Sequence, residues 1–78
     1  MHPTLEDVKE IMGREGFTIT HTLEGDAVGI HKDSGRPIIL KFDIHYCVIG
    51  FNVVMKKGET PRNIEFFDIE SAMLAAKA

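Results

Sequence analysis

Apolar residues recur at spacings of three and four through Leu5, Val8, Ile11 and Met12, the stripe of an amphipathic helix. Glu6, Lys9, Glu10 and Arg14 fall on the opposite side. The spacing predicts a helix over 4–15, capped by the Thr4 hydroxyl, with Asp7 at the capping-box offset and Gly16 placed to end it. From Phe17 the period changes to two. Phe17, Ile19, His21 and Leu23 share one face and Thr18, Thr20 and Thr22 the other, as in a strand with one side buried. After turn chemistry at Glu24-Gly25-Asp26, a second strand is expected over Ala27–Lys32, with Val28 and Ile30 inward. Gly29 inside it signals a bulge or a close neighbour. Lys32-Asp33-Ser34-Gly35 reads as a turn, and Pro37 opens a third strand, Ile38–Phe42, with Ile38, Leu40 and Phe42 on one side.

Ile44–Lys57 is the longest stretch without a strong breaker. At a period of two, His45, Cys47, Ile49, Phe51, Val53 and Met55 lie on one face, and Ile44, Tyr46, Val48, Gly50, Asn52 and Val54 on the other. Both faces are mostly apolar, so both are expected to be covered. Between the third and fourth strands a turn at Asp43 is preferred to a break at Gly50, because it gives strands of comparable length. Lys57–Asn63 has loop composition, and Ile64–Phe67 is a candidate for a short extra strand. Asp68 then caps a helix over Ile69–Lys77, whose inner side is Ala72, Met73 and Ala76. The expected architecture is one domain over 1–78. It is an α+β two-layer sandwich: an antiparallel four-stranded meander flanked in sequence by an N-terminal and a C-terminal helix (α-β-β-β-β-α).

Seventy-eight residues make a marginal core, a size at which a disulfide, a metal or a second subunit often adds stability. Cys47 is the only cysteine, so no disulfide forms within the chain, and a lone thiol in an apolar run fits a reducing compartment. The N-terminal stretch lacks the basic and apolar regions of a signal peptide, and no apolar run is long enough to span a membrane. A cytoplasmic protein that does not enter membranes is the expectation. The net charge of −3 argues against polyanion binding by bulk electrostatics, yet it is unevenly spread: residues 1–30 carry −4, 31–63 carry +3 and 64–78 carry −2.

The order helix, strands, helix is shared with double-stranded RNA-binding domains. Those carry a Lys-rich cluster where this chain has Asp68-Ile69-Glu70-Ser71, so the phosphate-gripping residues have no counterpart. Phe66–Ala72 is similar to the strand-to-helix junction of AP2-like and integrase arm-binding domains, over fewer than ten residues that capping and packing explain.

Two pieces of site chemistry compete with bland readings. His45 and Cys47 project from one face of a strand, where they could hold a metal or form a thiol–imidazole pair, with His21 or His31 adding a ligand. The spacing lacks any C-x-x-C or H-x-x-x-H pair, and the apolar surroundings disfavour a thiolate. No catalytic residue, metal or cofactor is therefore assigned. Lys32, Arg36, Lys56, Lys57 and Arg62 flank two loops that a meander brings to the same end of the sheet, a candidate rim for phosphates or nucleic acid. The alternative is a solvated edge. The reading the sequence favours is a non-enzymatic interaction module, a homodimer or a binder of another protein, with Tyr46, Val48, Gly50 and Val54 as its interface. Binding of nucleic acid is the second reading.

Overall fold

A computed structural model describes residues 2–78. The first helix, α1, spans Leu5–Arg14 and begins as the sequence predicts. The Thr4 hydroxyl accepts the Asp7 N–H (3.2 Å), and an Asp7 carboxylate oxygen accepts the Thr4 N–H (3.3 Å). Gly16 follows in the left-handed region at φ +86°, where a residue without Cβ is unstrained. Five strands come next: β1 (Phe17–His21), β2 (Ala27–His31), β3 (Pro37–Phe42), β4 (Val48–Val54) and β5 (Asn63–Phe66). The second helix, α2 (Ile69–Lys77), is capped by Asp68, whose carboxylate accepts from the Ser71 N–H and hydroxyl. The strands lie side by side in sequence order, all antiparallel.

The α+β class is as expected, but the sheet has five strands and not four. β5 forms because Phe66 and Ile64 lie opposite Phe51 and Val53, extending the apolar face by one more strand. It corresponds to the short extra strand for which Ile64–Phe67 is the candidate in sequence, starting one residue earlier, at Asn63.

Both helices lie on the same face of this sheet. α1 packs over β1, and α2 over β3, β4 and β5. Between helices and sheet sit Val8, Met12, Phe17, Ala27, Ile38, Leu40, Val48, Phe51, Val53, Ala72, Met73 and Ala76, all buried. The small residues of α2 are inward as predicted, and Ala72 and Ala76 let the helix approach the strands closely.

Three expectations fail at the strands. Ala27, Gly29 and His31, not Val28 and Ile30, are the residues of β2 turned toward the helices, in register with Leu40, Ile38 and Phe17. The cause is Met12: a Cβ at Gly29 would come within 2.3 Å of its methyl carbon, so α1 needs the glycine beneath it. Leu23, expected inward, is fully exposed, because β1 stops at His21 and the chain enters a turn held by Thr22 and Asp26. The fourth strand starts at Val48, not Ile44, because residues 43–47 form the turn. That turn is at Asp43, the preferred of the two positions.

Candidate functional site

The Asp43 carboxylate organises the β3–β4 turn. One of its oxygens accepts the N–H groups of His45 (2.8 Å) and Cys47 (3.0 Å), and the Asp43 N–H donates to the Cys47 carbonyl (3.0 Å). Donors aimed at the carboxylate favour its charged form, so the pKa of Asp43 is held below the usual carboxylate range. The chain preceding α1 is tied to the same turn: Leu5 N–H donates to the Tyr46 carbonyl (3.1 Å) and Val48 N–H to that of Pro3 (2.8 Å). At Tyr46 the backbone is left-handed, φ +60°. This places Ile44 and Tyr46 in solvent, 90% and 71% exposed.

The turn dissolves the strand geometry that paired His45 with Cys47, since both residues sit in it. His45 is exposed and Cys47 part-buried, while His31 lies at the opposite end of β2. Among the described residues, no group of three or more His, Cys, Asp or Glu side chains is arranged to hold a metal.

Tyr46, Val48, Gly50 and Val54 do not form one patch. The register between β3 and β4 shifts after Lys41, which pairs with Gly50, while Phe42 pairs with Val48. Ile49 is the extra residue of this bulge, and it reverses the alternation. Val48 therefore turns toward the helices and is 1% exposed. Gly50 and Val54 stay on the opposite, helix-free face. Tyr46 projects from the end of the sheet.

That helix-free face carries an apolar centre. Val28 pairs with Ile39, Ile30 with Pro37, and Ile39 with Asn52; with Val54 these residues cross β2, β3 and β4. Ile30 is exposed, and Val28, Pro37, Ile39 and Val54 are part-buried with no helix above them. Polar residues border the centre: Thr18 and Thr20 on β1, and a Lys41–Glu65 ion pair at 3.1 Å that lies over Gly50. Sequence reasoning missed Val28, Ile30, Pro37 and Ile39. The signal was Gly29, whose missing side chain identified the helix side of β2 and so the side on which its neighbours point.

The loops after β2 and β4 meet at one end of the sheet, as the meander requires, but the five basic residues there divide. Arg36 is buried and serves the fold. Its guanidinium donates to the Ala75 carbonyl (3.4 Å) at the C-terminus of α2 and pairs with Glu59 (3.5 Å). Next to it the Ser34 hydroxyl donates to the Ala76 carbonyl (2.7 Å), and the Ser34 N–H donates to His31 Nδ1 (3.2 Å). Together these groups satisfy carbonyls that the last helical turn leaves open. Lys32, Lys56, Lys57 and Arg62 remain in solvent, and Lys56, Lys57 and Arg62 edge a hollow of about 330 Å³ floored by Val54 and Met55. A second, larger hollow of about 600 Å³ lies between the helices, lined by Ile11, Ile69, Met73 and Leu74, with Arg14, Glu15 and Lys77 at one end. Lys77 bonds Glu15 there and holds its carboxyl below the usual range.

Placing the charges on this topology separates them by sign. The Asp43 end of the molecule holds Glu6, Asp7, Glu24, Asp26, Asp43, Asp68 and Glu70, against Lys9, which pairs with Glu6 at 3.7 Å. The opposite end holds Arg14, Lys32, Arg36, Lys56, Lys57, Arg62 and Lys77 against Glu15, Asp33 and Glu59. The basic segment seen along the sequence is thus one pole of the fold. The acidic pole also carries four large exposed apolar residues, Leu23, Ile44, Tyr46 and Phe67.

No helix is long and apolar enough to cross a membrane, among the described residues. Neither a family model nor a curated protein nor a solved structure matches the chain.

Proposed function

We propose that this domain is a non-enzymatic interaction module that self-associates through the helix-free face of its sheet. The observation that carries the reading is the placement of both helices on one side, which leaves Val28, Ile30, Pro37, Ile39 and Val54 without a helix above them among the described residues. Apolar surface of this kind, bordered by polar residues, suits a protein contact. A twofold pairing of two such faces buries the same residues on each copy and gives a 78-residue domain a second core. Of the residues proposed from the sequence, Gly50 and Val54 belong to this face.

Sedimentation equilibrium tests it with the Ile39→Glu variant. Ile39 lies at the centre of the face and away from the helices, so the variant keeps its native circular dichroism. At high salt the wild type is expected to sediment as a dimer and the variant as a monomer. Under that condition a wild type that stays monomeric at high concentration, or an Ile39→Glu chain that dimerises equally well, disproves the reading.

A further inference from the structure

We propose a second contact between copies of this chain, end to end: the Ile44–Tyr46 tip of one copy seats in the hollow beside Lys56, Lys57 and Arg62 of the next. Three observations meet in it. The first is Tyr46 itself. A left-handed backbone favours glycine or asparagine, and the side chain is mostly exposed and outside the buried core. Neither local conformation nor core packing accounts for a tyrosine at this position, so its use lies outside the chain. The second is the hollow. Val54 and Met55 make an apolar floor of a size for one or two side chains, and three cations edge it. A tyrosine ring entering there would meet cations above an aromatic face, a favourable pairing. The third is the separation of charge. The tip stands at the acidic pole and the hollow at the basic pole, so docking one on the other brings poles of opposite charge near each other.

Tip and hollow lie at opposite ends of β4, so one copy cannot satisfy its own. The contact is heterologous, and its repetition gives rings or open chains rather than a closed pair. It shares Val54 with the sheet-face contact, which joins copies side by side, but not Ile39, so Ile39→Glu separates the two by experiment.

The test is run on the Ile39→Glu chain, by sedimentation velocity at low and high salt. Two further variants are made on it: Tyr46→Asn, which removes the ring but suits the left-handed backbone, and Lys56→Glu with Lys57→Glu. At low salt the Ile39→Glu chain is expected to form species that grow with concentration and dissociate as salt screens the poles. Tyr46→Asn is expected to weaken this by roughly tenfold or more while its thermal stability stays level or rises, which a structural role for the ring would not produce. Mixing the Tyr46→Asn chain, whose hollow is intact, with the lysine variant, whose tip is intact, is expected to give one-to-one dimers and nothing larger. An Ile39→Glu chain that is monomeric at low salt overturns the proposal. So does association that survives both variants, or a mixture that stays monomeric. A short nucleic-acid duplex that binds the lysine end while the chain alone remains monomeric would also overturn it, in favour of a polyanion. The sheet-face reading is judged separately, by the wild type against Ile39→Glu at high salt.

Discussion

Asp43 joins two levels of the structure, since the carboxylate that closes a turn also fixes where β4 begins. Its pKa is lowered by the N–H groups of Cys47 and His45, and this links the turn to pH. A carboxyl whose folded value is depressed contributes stability that is complete above its unfolded value and is lost as pH falls through the folded one. Replacing it by asparagine keeps an acceptor but removes the titration. Asp43→Asn is therefore expected to melt below the wild type at neutral pH, with the gap closing as pH falls below the usual carboxylate range. Melting curves across acid pH check this. Asp68, lowered by the Ser71 hydroxyl and N–H, and Glu15, lowered by Lys77, contribute with the same sign in both proteins, so the difference isolates Asp43. The turn was legible because aspartate is a strong turn former. The left-handed Tyr46 was not, because a tyrosine in that conformation runs against its local preference.

Among the elements, the pairing of α1 with β2 rests on one missing side chain. The Met12 methyl fills the space where a Cβ on Gly29 would go, and Ile19 stands 3.1 Å from the same point. Gly29→Ala makes the Met12 methyl, the free end of a flexible side chain, shift within the core, and is expected to cost about 1 kcal/mol, the low end of the range for overpacking. Urea unfolding measures it. Shortening Met12 makes room, so Met12→Ala combined with Gly29→Ala is expected to cost less than the two single changes together. The helices and their caps could be read from sequence because capping chemistry and the three-and-four spacing are local. The facing of β2 could not. Val28 and Ile30 are the larger apolar residues, and a rule that turns large residues inward is overridden here by the need to bring a helix close. The bulge at Ile49 escaped for a related reason: an inserted residue changes the facing of Val48 while leaving composition and apolarity untouched.

For the whole molecule, a single helical layer over a five-stranded sheet sets how much core 78 residues can make. A domain stabilised by pairing its bare face unfolds with release of a partner, so its apparent stability follows mass action. The melting temperature of the wild type is expected to rise with protein concentration, and that of Ile39→Glu at high salt to stay constant. Calorimetry over a wide concentration range distinguishes the two. At this scale the sequence showed the two-sided apolarity of β4 and a basic middle segment, but not which residues share a face or a pole. The poles arise because alternate loops of a meander fall at alternate ends, so charges distant in sequence are added together.

The placement of the lid also bears on how the chain is made. The strands follow one another in order, so each can pair with its predecessor as soon as it leaves the ribosome. The face formed by β3, β4 and β5 has no such sequential cover. It is sealed by Ala72, Met73 and Ala76 of α2, which are translated only after the last strand. Until α2 docks, the sheet carries two apolar faces rather than one. This is the interval in which it is most prone to capture by a chaperone or by another nascent copy.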